Sequence, residues 1–261
     1  MEAIRKGLRD SARYIPLLRE MVKRDFKMKY KRSYLGIVWS LLDPLLHMLI
    51  LALVFSQLLG RDIQFFPVYI MTGRLIFTFY SQATNFCLTS ITGGKLYIMS
   101  VKMPLYMLPL SKTISALVNE ALSLLALLFM MLITGAPFHW TALMFPVPVL
   151  YVFLFSFGLG MALSAWMVFF RDLGHLYSVF TTLLMFITPM FYSADIYPQQ
   201  YLWAFKLNPL YHFVQMFRNI VLYGHLPPLT DHAICAAYCA GALIVGAAAF
   251  KKGKNRFVLY L

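Results

Sequence analysis

Acidic residues are scarce in this chain: Asp and Glu together number 10 in 261 residues, and charged residues of both signs make up only 13%. A soluble domain carries about 25% charged residues, so this chain cannot build an ordinary water-facing surface. Cysteine is nearly missing as well. Cys87, Cys235 and Cys239 form no even set, which excludes a disulfide framework; Cys235 and Cys239, four apart on an apolar stretch, read as packing residues. A nucleotide-binding loop is lacking. Gly93-Gly94-Lys95 is a superficial match, but Leu96 stands where Ser or Thr must reach magnesium, and the upstream glycine is missing. His, Cys and carboxylate residues take no metal-ligand spacing, and no Ser-His-Asp set can be nominated. The expectation is a chain with no catalytic residue, metal or cofactor of its own.

What the chain has is apolar length. Hydrophobic residues make up 61%, and runs of the roughly 20 residues needed to cross a bilayer lie at about 35–59, 67–92, 105–134, 142–170, 173–192 and 233–250. The net charge of +13 beside such runs signals retention on the cytoplasmic side rather than a nucleic-acid partner. Basic residues crowd residues 1–34, recur at Lys95, Lys102, Lys112 and Arg171, and follow the last run at Lys251, Lys252, Lys254 and Arg256. The other side has only Arg61, Lys206 and Arg218, with Arg74 inside span two. Six spans with both termini in the cytoplasm follow from this asymmetry. The N-terminus is polar and charged, so no cleaved signal peptide is expected.

Residues 1–34 carry a second pattern. Ile4, Leu8, Ile15, Leu18, Val22 and Phe26 recur near the helical period, with basic residues on the other faces. This predicts an amphipathic interface helix on the anionic inner leaflet, interrupted at Pro16, with Arg5, Lys6, Arg9 and Arg13 as its membrane contacts. On the outer side, residues 193–232 are rich in aromatics, and Asn208-Pro209 reads as an N-cap followed by proline at the first helical position. Gly224 offers the stop. The enclosed helix, roughly 22 Å long at 1.5 Å per residue, is too short for a comfortable crossing and reads as a re-entrant hairpin.

Charge inside the spans is confined to Asp43, Arg74, Lys112 and Glu120. These read as snorkelling for Lys112 and Arg74 and helix-to-helix pairing for Asp43 and Glu120, since a proton relay would want several carboxylates near mid-membrane. Arg171 and Asp172 sit in the short turn between spans four and five. Asp172 is expected to cap span five, while Arg171 either binds phosphates or partner carboxylates, or forms a local salt bridge. The loop 93–104 interleaves Leu96, Ile98, Met99, Val101 and Met103 with Lys95 and Lys102. Apolar residues at an inner turn mark a protein contact, anchored here by Tyr97 and Met99.

Four stretches in order resemble one family. "YKRSYLGIVWSLLDPLLHMLILALVF" (30–55) is similar to the start of span one in the ABC-2 export permeases, above all the polysaccharide and teichoic acid exporters. "FFRDLGHL" (169–176), "TPMFYS" (188–193) and "LNPLYHFVQMFRNIVLYG" (207–224) resemble later elements of the same branch. The resemblance implies an all-α membrane protein with residues 1–34 as interface arm and 35–261 as a six-span transmembrane domain of the bacterial inner membrane. It implies a homodimer driven by two copies of a separate ATPase subunit, which carries the ATP and magnesium. The cargo it implies is a lipid diphosphate-linked glycan or polyol phosphate: O-antigen, capsule or wall teichoic acid. Loop 93–104, with Tyr97, Met99 and Lys102, would be the ATPase coupling element, aided by Arg171. Trp39, Phe55, Tyr177, Phe180 and Phe191 would line the substrate path with Arg74 and Arg218, the last near headgroup phosphates. Arg74 departs from the family, which places an apolar residue there. A permease for a small lipid or drug would share this topology. A membrane-embedded glycosyl- or phosphotransferase is the other alternative, although only Asp172 and His175 sit close together for it.

Overall fold

A computed structural model of the protein describes residues 14–31, 34–55, 63–100, 103–192, 200, 202–254 and 257–260. In chain order the helices are α1 (Ile15–Tyr30), α2 (Trp39–Phe55), α3 (Phe66–Leu88), α4 (Lys95–Ser100), α5 (Met107–Thr134) and α6 (Pro146–Phe169). Then come α7 (Leu173–Ile187), α8 (Leu202–Lys206), α9 (Pro209–Val221), α10 (Leu229–Gly253) and α11 (Phe257–Tyr260). No strand occurs among the described residues. Each of the six apolar runs folds as a helix: α2, α3, α5, α6, α7 and α10. By length and composition α5, α6 with its preceding 3-10 turn, and α10 are long enough to cross a membrane, while α2 and α7 are shorter.

The centre of the bundle is α3. Val68, Ile70, Met71, Phe79, Tyr80, Ala83 and Cys87 on it are all buried, packed between α5 and α6. Its polar residues are tolerated there because they bond to their own helix. Thr72 Oγ1 donates to the Tyr69 carbonyl at 2.8 Å, and Thr84 Oγ1 to the Tyr80 carbonyl at 2.8 Å. Against this centre, α6 and α10 approach backbone to backbone. A Cβ on Gly246 would stand 2.2 Å from the Gly158 carbonyl oxygen, and one on Gly158 would stand 2.5 Å from the Ala242 carbonyl carbon. Small residues at such a crossing let dispersion replace the hydrophobic drive that lipid does not supply.

Two helices are less enclosed. Leu46, Leu49, Ile50, Leu53 and Val54 on α2, and Leu176, Val179, Phe180, Leu183 and Phe186 on α7, are exposed. The segment around α9 is the opposite. Phe213 and Phe217 of α9 are fully buried, and Asn208 caps the helix as its sequence position predicts. Asn208 Oδ1 accepts from the Leu210 N–H at 3.0 Å, and Nδ2 donates to Thr188 Oγ1 at 2.8 Å, tying the cap to the end of α7. Gly224 takes φ +69, the left-handed conformation that stops the chain turning as a helix.

Within the arm, α1 begins at Ile15 and Pro16 lies in its first turn, where its missing N–H costs nothing; the part of the arm before the expected break lies outside the described residues. Arg5, Lys6, Arg9 and Arg13 lie outside the described residues.

Candidate functional site

The arm is fastened to the bundle by one acid. Asp25 Oδ2 receives the Lys112 ammonium at 2.7 Å and the Ser115 hydroxyl at 3.3 Å, while Asp25 Oδ1 holds Arg24 at 3.1 Å. Lys112, expected to snorkel, is thus paired across helices with the arm. The Arg24 guanidinium lies over the Tyr97 ring, 4.9 Å from its centroid, and donates to its hydroxyl. Arm, α5 and α4 thus meet at adjacent residues. Asp25→Ala should leave Lys112 half-buried without a counter-ion, at a cost of about 1–3 kcal/mol. Disulfide cross-linking between cysteines at positions 22 and 118, which line one groove, should then fall well below that of the parent pair. Unchanged cross-linking would show that the arm is held without Asp25.

Further along, the Lys29 ammonium donates to Asn119 Oδ1 at 3.1 Å, and Tyr30 bonds to Ser40. Behind these contacts α1, α2, α3 and α5 enclose a cavity of about 340 Å³. Lys29, Trp39, Ser40, Asp43, Arg74, Thr78, Gln82, Asn119, Glu120 and Ser123 line it, with Pro44, Met71 and Leu75. Its polar lining follows from helical spacing: Arg74, Thr78 and Gln82 recur every four residues on α3, and Asn119 and Ser123 do so on α5. Pro44, inside α2, has no N–H to give the Ser40 carbonyl. Asp43 pairs with His47 on its own helix at 3.3 Å. Glu120 is only 5% exposed, yet no ion pair within 4.0 Å closes on it or on Arg74 among the described residues. The interhelical pairing expected for Asp43 and Glu120 is therefore not formed. Four ionisable groups from four helices instead surround one chamber.

Of the residues expected on a substrate path, Trp39 and Arg74 share this chamber. Phe180 is exposed on α7 and Phe191 is half-buried just beyond it. Phe55 ends α2, and its side chain lies outside the described residues. Tyr177 is not at a surface: it is buried, its hydroxyl 3.1 Å from that of Tyr80. Arg218 is a larger correction. It is wholly buried, donating to the carbonyls of Pro189 at 2.9 Å, Met190 at 2.8 Å and Tyr69 at 3.4 Å. Its guanidinium carbon lies 3.6 Å from the centroid of the Tyr69 ring. Those carbonyls occupy the guanidinium where headgroup phosphates were expected to.

The expected coupling segment contains α4. Leu96 and Met99 are exposed there, while Tyr97 is turned onto Arg24; Lys102 lies outside the described residues. Arg171 is exposed. Asp172 stands at the N-cap of α7 but makes no side-chain cap; the turn is closed by backbone bonds such as His175 N–H to the Asp172 carbonyl at 3.1 Å. Among the described residues no group of His, Cys, Asp and Glu could hold a metal ion. Sequence reasoning missed Asp25, Lys29, Gln82 and Asn119 as site residues. Their signals were present: an acid among the basic residues of the arm, and a polar stripe at Lys112, Ser115, Asn119 and Ser123.

A helical bundle this apolar, with helices long and hydrophobic enough to cross a bilayer, is an integral membrane protein. The family model for the ABC-2 type transporter matches residues 16–222, and the chain belongs to that family. It is 29% identical over 252 residues to the O-antigen export system permease protein RfbA of Myxococcus xanthus, covering 96% of this chain and 97% of that one. A protein of the same name from Klebsiella pneumoniae is 26% identical over 247 residues, covering 92% and 93%. The polysialic acid transport protein KpsM of Escherichia coli is 25% identical over 239 residues, covering 87% and 90%.

Proposed function

We propose that this chain is the transmembrane permease subunit of an ABC exporter that carries a lipid-linked polysaccharide out across the bacterial inner membrane. The observation that carries the reading is the near end-to-end likeness to an O-antigen export permease, 96% of this chain against 97% of that one. In this reading α2, α3, α5, α6, α7 and α10 cross the bilayer and both termini face the cytoplasm. The helix α9, 13 residues or roughly 20 Å long, dips in from outside as a re-entrant element. Two copies act together with two copies of a separate ATPase subunit that binds ATP and magnesium. The apolar faces left open on α2 and α7 suit contact with a second copy and with lipid. The cargo is a glycan on a lipid diphosphate, with O-antigen and capsule closer to the relatives than wall teichoic acid.

Deleting the gene should strip the polymer from the cell surface and leave its lipid-linked form inside the cell, and the intact chain should restore export. Normal surface polymer in the deletion strain would refute the reading.

The ATPase contact falls on α4. Leu96→Asp together with Met99→Asp should leave the chain inserted yet reduce transport-linked ATP hydrolysis by tenfold or more, since central apolar anchors are worth about 2 kcal/mol or more each. Normal hydrolysis and export in that double variant would exclude α4 as the coupling element.

A further inference from the structure

Two ionisable groups line the chamber without a direct ion pair among the described residues. Glu120 is 5% exposed and turned into the 340 Å³ cavity. Arg74 faces the same space from α3. Among the described residues no ion pair within 4.0 Å satisfies either. A buried polar group without a hydrogen-bond partner is costly, and ionisable groups held inside a membrane protein are kept for function.

The two groups together restrict what can satisfy them. A phosphate would take the donors of Arg74 but set its own charge against Glu120 and Asp43. A metal cation would suit the carboxylates and be repelled by Arg74 and Lys29. A ring bearing hydroxyls meets both demands, because a hydroxyl donates to a carboxylate and accepts from a guanidinium. The remaining lining has the same character: Gln82 and Asn119 carry planar amides that both donate and accept. At the rim Trp39, 46% exposed, offers a rigid ring face beside a polar edge. A volume of about 340 Å³ falls within the roughly 300–1,000 Å³ of small-molecule sites.

We propose that this cavity binds a single glycosyl residue of the exported glycan, with Glu120 accepting from, and Arg74 donating to, adjacent hydroxyls of one ring. The proposal rests on the exporter reading above and assigns that cargo a seat on this chain. Lys29, joined to Asn119 at 3.1 Å, places the arm at the cytoplasmic edge of the seat.

The test uses the full-length permease in lipid nanodiscs and saturation-transfer NMR. The probes are short oligosaccharides released by mild acid from the host's own surface polysaccharide, with inorganic phosphate as competitor. Magnetisation should pass to ring protons of the oligosaccharide and resist competition by phosphate. Glu120→Leu and Arg74→Met should each weaken binding roughly ten- to a hundredfold, the loss of a hydrogen bond to a charged group. Leu132→Ala, on an exposed apolar position, should leave binding unchanged. Should Glu120→Leu fail to fold, Glu120→Gln keeps the shape and must still weaken binding measurably. No transfer to the oligosaccharide, unchanged binding in the Glu120 and Arg74 variants, or displacement by phosphate would each overturn the proposal. The cellular arm separates the two readings. Normal surface polymer without the gene defeats the exporter reading. Full rescue by Glu120→Leu, in a deletion strain that the wild type rescues, defeats only the glycosyl seat.

Discussion

Arg218→Met is expected to unfold the region where α9 meets α3 and the end of α7, although methionine fills much of the same space. The guanidinium holds the carbonyls of Pro189 and Met190, where the chain leaves α7, and that of Tyr69 in the first turn of α3. Both terminal nitrogens are engaged, and Nε has no partner among the described residues. Methionine would take this donor from the Pro189 and Met190 carbonyls at about 1–3 kcal/mol each, while the Tyr69 carbonyl keeps Thr72 Oγ1 at 2.8 Å; a typical total stability is about 5–15 kcal/mol. Lysine keeps the charge but not the planar fork, so Arg218→Lys should fall between Arg218→Met and wild type. Thermal unfolding in detergent, followed by size-exclusion fluorescence, measures this directly. A wild-type midpoint for Arg218→Met would mean that water replaces the guanidinium without loss.

Gly246→Val should be at least as damaging, for a steric reason. The Cβ position is 2.2 Å from the Gly158 carbonyl oxygen and 3.1 Å from the Met161 Cβ, and backbone cannot swing aside as a side chain can. The α6–α10 pair must separate along its length, losing the close contact that holds helices together in lipid. Little folded protein should accumulate in the membrane. Gly241→Ala is the matched control: it lies on the same helix with nothing within 4 Å of its Cβ. Alanine there should be neutral or stabilise by about 0.5–1 kcal/mol through helix propensity. Equal yields of the two variants would contradict this packing.

The helices were legible because apolar length is written in consecutive residues; all six runs are helical, and the Asn208 cap follows from an Asn-Pro pair. Individual side-chain roles were less so. Arg218 looked like an outer-surface cation because its sequence neighbours place it on an outer segment, and nothing local reveals that Pro189 and Tyr69 present carbonyls to it. Asp172 looked like a cap, yet backbone bonds closed its turn first. For Glu120 and Arg74 the sequence supplied the charges and their depth. Their common chamber arises only when α1, α2, α3 and α5 pack together, which no spacing within one helix encodes.

The contact of Arg24 with Tyr97 has a consequence for modularity. Residues 93–104 are not an interchangeable cassette, because the arm holds the ring of α4 and is itself anchored on Lys112. Grafting this loop into a relative without the arm would strand Tyr97; moving both segments together would carry the contact intact. Positions 24, 25, 97 and 112 are therefore one joined contact, and a substitution at any of them alters the setting of the other three.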